Sequence, residues 1–485
     1  MFYLIGKVKR EIINKYIDFI GLFVIGIFCL LYSIFYSNFA ELHINFKFLP
    51  FPVFVGEILL AFCLVLLVIK WGILKIKFNF YHFILFIFIG FIIFKAFFGY
   101  FKWGALAFRN SALFYYPLFA LLGYYFYNRD IFNLIWVKIF LILILSILAF
   151  LKIAQDYYLF TYCFLIAVLV YKLPYKYLRW VGILMAIIIF LKSDLFNQTK
   201  GMLVSILIVI LYLIFRLQFL FKKTKVLNRL YPLFGVGVIV IILIASLKSH
   251  TLERIYVWSN WHNLVNKFIY YNQYIQNEQK NYIPRSFIVK LYEEKPKIYE
   301  EKREKGAVTQ NITPKNEVIN KKTRISRFVD KKQSNIGECD TYNILWRIFI
   351  WRDMFREVIK ERAVFGLDFG KPLRPISIEI LKWDIGDGRV GYLEPHNSYF
   401  HILYRSGLVG LIFIITFFWL FVRLIFHSVK KDKIIGILLS SALLYWLILS
   451  NFIVLLEFPY FAIPFWSLFG MSIAYIFKNT NICVE

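Results

Sequence analysis

Residue types that do proton chemistry stand together where the longest hydrophilic stretch of the chain gives way to an apolar run. The stretch reads Leu393-Glu-Pro-His-Asn-Ser-Tyr-Phe-His-Ile-Leu-Tyr-Arg-Ser-Gly-Leu-Val-Gly410. It sets Glu394, His396 and Asn397 just ahead of the run that begins with Gly407. Ionisable groups at membrane depth are costly and mark functional sites by default. Imidazole titrates near neutral pH and can pass protons there. A histidine that merely closes an interfacial loop is the other reading, and these residues alone leave both open.

Anion chemistry is written upstream. Residues Tyr342–Glu361 read as a helix, and steps of about 100° per residue put Ile344, Leu345, Ile348, Trp351, Phe355, Val358 and Ile359 on one arc. Asp353, Glu357, Lys360 and Glu361 fall opposite, on the expected solvent side. Arg352 lands inside the apolar arc, Arg347 at its edge and Arg356 near Leu345. A guanidinium on a packed face needs an anionic or π partner, and its fork matches phosphate. An anion partner is expected for Arg347 and Arg352. For Arg356 a stem lying on apolar surface with its head in water fits equally well. Lys200, in the connection Lys192–Gly201, is a further basic candidate, or a lysine anchored at the headgroups.

The elements that must hold these groups follow from composition. Of 485 residues, 60% are hydrophobic and 21% aromatic, more than one soluble core absorbs. Apolar runs of about 20 residues recur, each able to cross a bilayer, and the short alternating segments of a β-barrel are not seen. The fold expected is an all-α polytopic membrane protein. The net charge of +28 does not imply nucleic acid, because Lys and Arg lie mostly in short connections between spans. The five cysteines show neither C-x-x-C nor zinc spacing, so disulfides and structural metals are not expected.

In order along the chain, runs near 17–36, 51–70, 80–100, 111–127, 131–151, 157–171, 178–192, 201–221 and 231–247 form an N-terminal bundle over residues 1–247. Runs near 407–427, 435–456 and 460–477 follow within 407–485, for about twelve spans in all. Charge well inside the runs is sparse, with Glu57 and Lys138 the main cases. With the N-terminus inside, inner connections carry the Lys/Arg excess, as at Lys70, Lys75 and Lys77 or Lys222, Lys223 and Lys225. Both termini are then cytoplasmic and residues 248–406 form a large outer loop. Its first part, Leu252–Tyr292, is crowded with aromatics and suits a helix on the outer leaflet, with a carbohydrate-stacking surface as the sharper reading. Residues 293–332 are too polar to fold alone and read as a flexible insertion.

His396-Asn397, nine residues, Gly407, two residues and Gly410 resembles the signature of bacterial O-antigen ligases and the related O-antigen polymerases. Arg347-x3-Trp351 followed by Val364-Phe-Gly-Leu-Asp-Phe-Gly370 resembles the arginine–tryptophan helix and glycine turn that precede it in that family. Thr199-Lys200-Gly201 sits where members usually carry an arginine, and the lysine keeps the charge but not the bidentate fork. Arg405 departs from the acidic or small residue often found before the glycine.

The resemblance implies metal-independent, inverting transfer of a glycan from undecaprenyl pyrophosphate to a sugar hydroxyl, without a cofactor. His396 would be the general base, with Asn397 and Glu394 holding its orientation. Arg347, Arg352 and Lys200 would bind the donor pyrophosphate and stabilise its leaving charge. The implied partners are the lipid-linked glycan, a lipid A core or glycan acceptor, and the bilayer of a bacterial inner membrane, with the active site facing the periplasm. A polymerase joining repeat units shares these residues. A transporter or flippase for lipid-linked sugars is the alternative from another class.

Overall fold

The computed structural model describes residues 2–46, 51–74, 80–104, 106–151, 153–175, 177, 181–182, 200–221, 261–279, 336–373, 375–381, 395–431 and 433–477. The chain divides into two compact units. One is built on Met1–Ile242, Val358–Lys371 and Glu394–Glu485, the other on Leu243–Glu357 and Pro372–Leu393.

The described residues are almost wholly helical. In the first unit the elements are α1 (Phe2–Ala40), α2 (Val55–Leu74), α3 (Phe80–Trp103), α4 (Leu106–Tyr115), α5 (Leu118–Phe126), α6 (Arg129–Asn133), α7 (Ile135–Phe150), α8 (Asp156–Tyr171) and α9 (Lys200–Phe221). A two-residue antiparallel pair, β1 (His43–Ile44) with β2 (Val53–Phe54), joins α1 to α2 and is the one departure from an all-α reading among the described residues. Segments Glu11–Ala40, Val55–Ile73, Phe86–Trp103, Ser398–His427 and Pro459–Phe477 are long and apolar enough to cross a bilayer, and Ile135–Phe150, Asp156–Tyr171, Val204–Leu213 and Ile434–Leu449 are shorter apolar helices. This is a multi-pass helical membrane protein. The runs expected near 178–192 and 231–247 lie largely or wholly outside the described residues.

The run expected near 111–127 is not continuous. Pro117 lacks an amide hydrogen and cannot continue a helix from the preceding turn, so the chain breaks at Tyr116 and Pro117 into α4 and α5. Buried charge is also richer than the sequence suggested. Lys70 of α2 donates to the Asp18 carboxylate of α1 and to Tyr125 O, with both charged side chains almost wholly buried. A buried pair of this kind is tolerated because each charge compensates the other.

The C-terminal helices are α13 (Ser398–Lys431), α14 (Lys433–Leu449) and α15 (Pro459–Phe477). Trp446 Nε1 on α14 donates to Thr161 Oγ1 on α8, and Tyr212 OH on α9 meets Ser440 Oγ at 2.8 Å. α5 lies along α15 so closely that a Cβ at Gly123 or Gly470 would overlap backbone of the facing helix.

The second unit contains α10 (Trp261–Gln279), most of α11 (Ile336–Lys360) and α12 (Ile376–Leu381). The charged helix of the sequence reading is thus present and begins earlier, but its buried face is turned. Leu345, Phe349, Ile350 and Met354 are buried, whereas Phe355 and Ile359, placed in the core by periodicity, are 63% and 59% exposed. Phe349 decides the rotation by stacking on Phe268 of α10, with ring centroids 5.3 Å apart.

Candidate active site

The head of α13 is built by a cap and a clasp. The first amides of a helix have no internal partner, and Asn397 Oδ1 accepts from Tyr399 N at 2.9 Å and Phe400 N at 3.0 Å. The loop between α14 and α15 then closes over the same end. Ser398 N donates to Ser450 O at 2.9 Å, Ser398 Oγ donates to Ile453 O at 3.3 Å, and Leu456 N donates to Ser398 Oγ at 3.1 Å. Asn397 Nδ2 reaches Asn451 O at 3.4 Å. The carboxamide expected to orient His396 therefore fixes the helix head on which His396 stands.

His396 is half-buried and has φ +49. Left-handed backbone at a residue other than glycine costs about 1–3 kcal/mol and persists only where the surroundings impose it. Glu394 lies outside the described residues. Lys200 opens α9, and its side chain lies outside the described residues.

One turn into α13, a polar chain runs into the interior. Arg405 Nε donates to His401 Nε2 at 3.2 Å, and Arg405 Nη1 donates to Asp368 O at 2.9 Å. His401 Nδ1 lies 2.9 Å from Glu457 Oε2, and all three side chains are buried. The imidazole is thus held between the Arg405 guanidinium at Nε2 and the Glu457 carboxylate at Nδ1. Burial pushes the Glu457 carboxyl up, but His401, Arg109 and Arg405 outweigh it and hold the group below the usual carboxylate range. The sequence reading did not single out His401 or Glu457. The four-residue spacing of His401 and Arg405 was a usable sign, whereas Glu457 arrives from a distant loop with no sequence signal of its own.

Below this chain α13 bends at Gly407, where φ is +52. The glycine turn Val364–Gly370 sits against the bend as a short antiparallel contact, with Leu367 N donating to Tyr404 O and Leu408 N to Val364 O, both at 2.8 Å. Neither Gly366 nor Gly407 has room for a Cβ. These two glycines, both within the motifs that carry the family resemblance, thus occupy positions where backbone meets backbone.

Arg347 and Arg352 belong to the second unit. Burial lowers the pKa of the half-buried Arg347 and is the one cause resolved. Arg352 has the anionic partner expected of it, but that partner is internal. Its Nε lies 3.3 Å from Asp353 Oδ1, its terminal nitrogens donate to Asn272 Oδ1 and Ser377 Oγ, and its guanidinium covers the Phe349 ring at 4.7 Å. Asp353, placed on the solvent side by periodicity, is instead half-buried as the cap of α12, accepting from Ser377 N at 2.7 Å. Arg356 is exposed. Among the described residues no cluster of three or more His, Cys, Asp or Glu side chains is placed to hold a metal ion. No family model matches the chain, and no curated protein or solved structure matches it either.

Proposed function

We propose that the chain is an O-antigen ligase-like glycosyltransferase of about twelve spans in a bacterial inner membrane. It moves a glycan from undecaprenyl pyrophosphate to a sugar hydroxyl of the lipid A core on the periplasmic face, with both termini cytoplasmic. The observation that carries the reading is His396, an imidazole held in left-handed backbone immediately ahead of a capped and clasped helix head. Strained backbone of this kind clusters at active sites and ligand clamps.

In this reading His396 takes the proton of the acceptor hydroxyl as its oxygen attacks the anomeric carbon. The bond from that carbon to the carrier phosphate breaks, and undecaprenyl pyrophosphate leaves with the electron pair. Glu394 supports the imidazole, and Asn397 contributes by fixing the helix head. Arg347 and Lys200 stabilise the leaving phosphate. Arg352, already committed to Asp353, contributes by holding the helix that carries Arg347. A polymerase would use the same residues with a second repeat unit as acceptor.

The buried Asp18–Lys70 pair and Glu57 within apolar helices favour a second reading, a flippase for lipid-linked sugars. Reconstitution of the purified protein with a lipid-linked donor and a core-sugar acceptor separates the two. Covalent transfer that disappears in His396→Ala supports the transferase, and transfer that persists in a folded His396→Ala overturns it. Donor movement between leaflets without covalent change would establish the flippase. In a deletion strain, single-repeat capping marks a lost polymerase, and unattached lipid-linked polymer marks a lost ligase.

A further inference from the structure

The bend at Gly407 creates an electrostatic problem that one lysine solves. In an unbroken helix Tyr404 O would accept from Leu408 N; here that amide turns to Val364 O and Tyr404 O takes Leu367 N instead, so the bend draws the glycine turn against the helix. The glycine turn brings more carbonyls to the same place, and at membrane depth unsatisfied backbone groups cost several kcal/mol each. Lys95 enters from the middle of α3. Its Nζ stands 2.6 Å from Arg405 O, 2.7 Å from Phe365 O, 3.0 Å from Leu367 O and 3.2 Å from Gly366 O. The rings of Phe369 and Phe91 lie 5.1 Å and 5.7 Å from it.

An ammonium has three hydrogens, and here it meets four carbonyls and two π faces. It therefore acts as a point charge inside a shell of oxygen dipoles. Backbone carbonyls that replace a hydration shell are what channels use to hold dehydrated monovalent cations. The oxygens come from two chain segments far apart in sequence, so the cation they share ties the glycine turn to the broken helix.

We propose that these carbonyls form a monovalent-cation site that the protein fills with its own side chain. With Lys95 shortened, the site takes a free small cation, ammonium ahead of potassium. The proposal does not rest on glycan transfer, and its readout is independent of it.

The test is the thermal unfolding of the full chain in detergent, measured in chlorides of equal ionic strength. In N-methylglucamine chloride, whose cation is too large for the cage, Lys95→Ala should melt lower than wild type by on the order of 5 °C. Ammonium should restore the Tm saturably, potassium less well, while wild type stays unmoved. Lys95→Met, which fills the cage with an uncharged stem, should melt low in every salt. An unchanged Tm in Lys95→Ala, or recovery that is the same in all salts, overturns the proposal. Should Lys95→Ala not be recovered folded, acetic anhydride footprinting of wild type decides the matter. Lys95 should resist acetylation while the half-exposed Lys102 reacts, and equal reactivity of the two overturns the site.

Discussion

Glu457 Oε2 stands 2.9 Å from His401 Nδ1, and both side chains are almost completely shut off from solvent. Removing one partner strands the other in a low-dielectric interior, which costs about 3–5 kcal/mol for a buried charged group. His401→Ala is therefore expected to lower the Tm more than substitution of an exposed neighbour such as Phe400. Equal Tm values for the two variants would show that the contact contributes nothing.

The same carboxylate carries a pH signature. Its pKa lies below the ordinary carboxylate range in the folded state, so its contribution is complete at neutral pH and is lost as pH falls through that depressed value. Glu457→Gln should melt below wild type at pH 7, and the gap should close on acidification. A gap that is constant with pH would mean that Glu457 is protonated throughout.

Asn397 offers a separation of capping from chemistry. Asn397→Ala loses the acceptor for two amides and should cost about 1 kcal/mol. Asn397→Asp keeps the acceptor and should retain most of that stability. If transfer follows Tm across both variants, Asn397 acts through the helix head, and if Asn397→Asp is stable but inactive it acts on the reaction directly.

Gly407→Ala places a Cβ against Val364 O at a positive φ, and Gly366→Ala does the same from the other side of the contact. Each is expected to cost upwards of about 1–3 kcal/mol. Because they damage one shared interface, the double variant should cost less than the sum. Strict additivity in chemical unfolding would refute a shared contact.

Arg352 and Arg347 should part company. Arg352→Ala and Asp353→Ala are expected to couple by about 0.5–3 kcal/mol in a double-mutant cycle, since the two side chains touch each other and Ser377. Arg347→Lys should leave Tm near wild type and slow transfer. An unchanged rate would remove Arg347 from the donor site.

Apolar runs announced the membrane helices, and the glycine turn was visible in Val364–Gly370, because both depend on local composition. The head of α13 was legible as a place where polar residues cluster. What the sequence withheld depends on distant partners. Phe355 looks buried until Phe349 meets Phe268, and Asp353 looks solvent-facing until the amide of Ser377 needs an acceptor. Nothing local in the sequence ties Lys95 to the distant carbonyls around Gly407 that surround it. The Pro117 break is readable from the proline itself, although the apolar residues on both sides continue the pattern of one span.

That break bears on the order of assembly. α5 spans only Leu118–Phe126, too short to cross a bilayer alone, and its Gly123 face fits directly onto Ser467 and Met471 of α15. α15 is made long after α5 has left the ribosome. The nascent protein must therefore hold half of a broken crossing in waiting, by the translocon or by earlier helices, until its last described helix arrives. A chain stopped before Pro459 would leave that glycine face against lipid, making it a substrate for membrane quality control rather than a smaller version of the same protein.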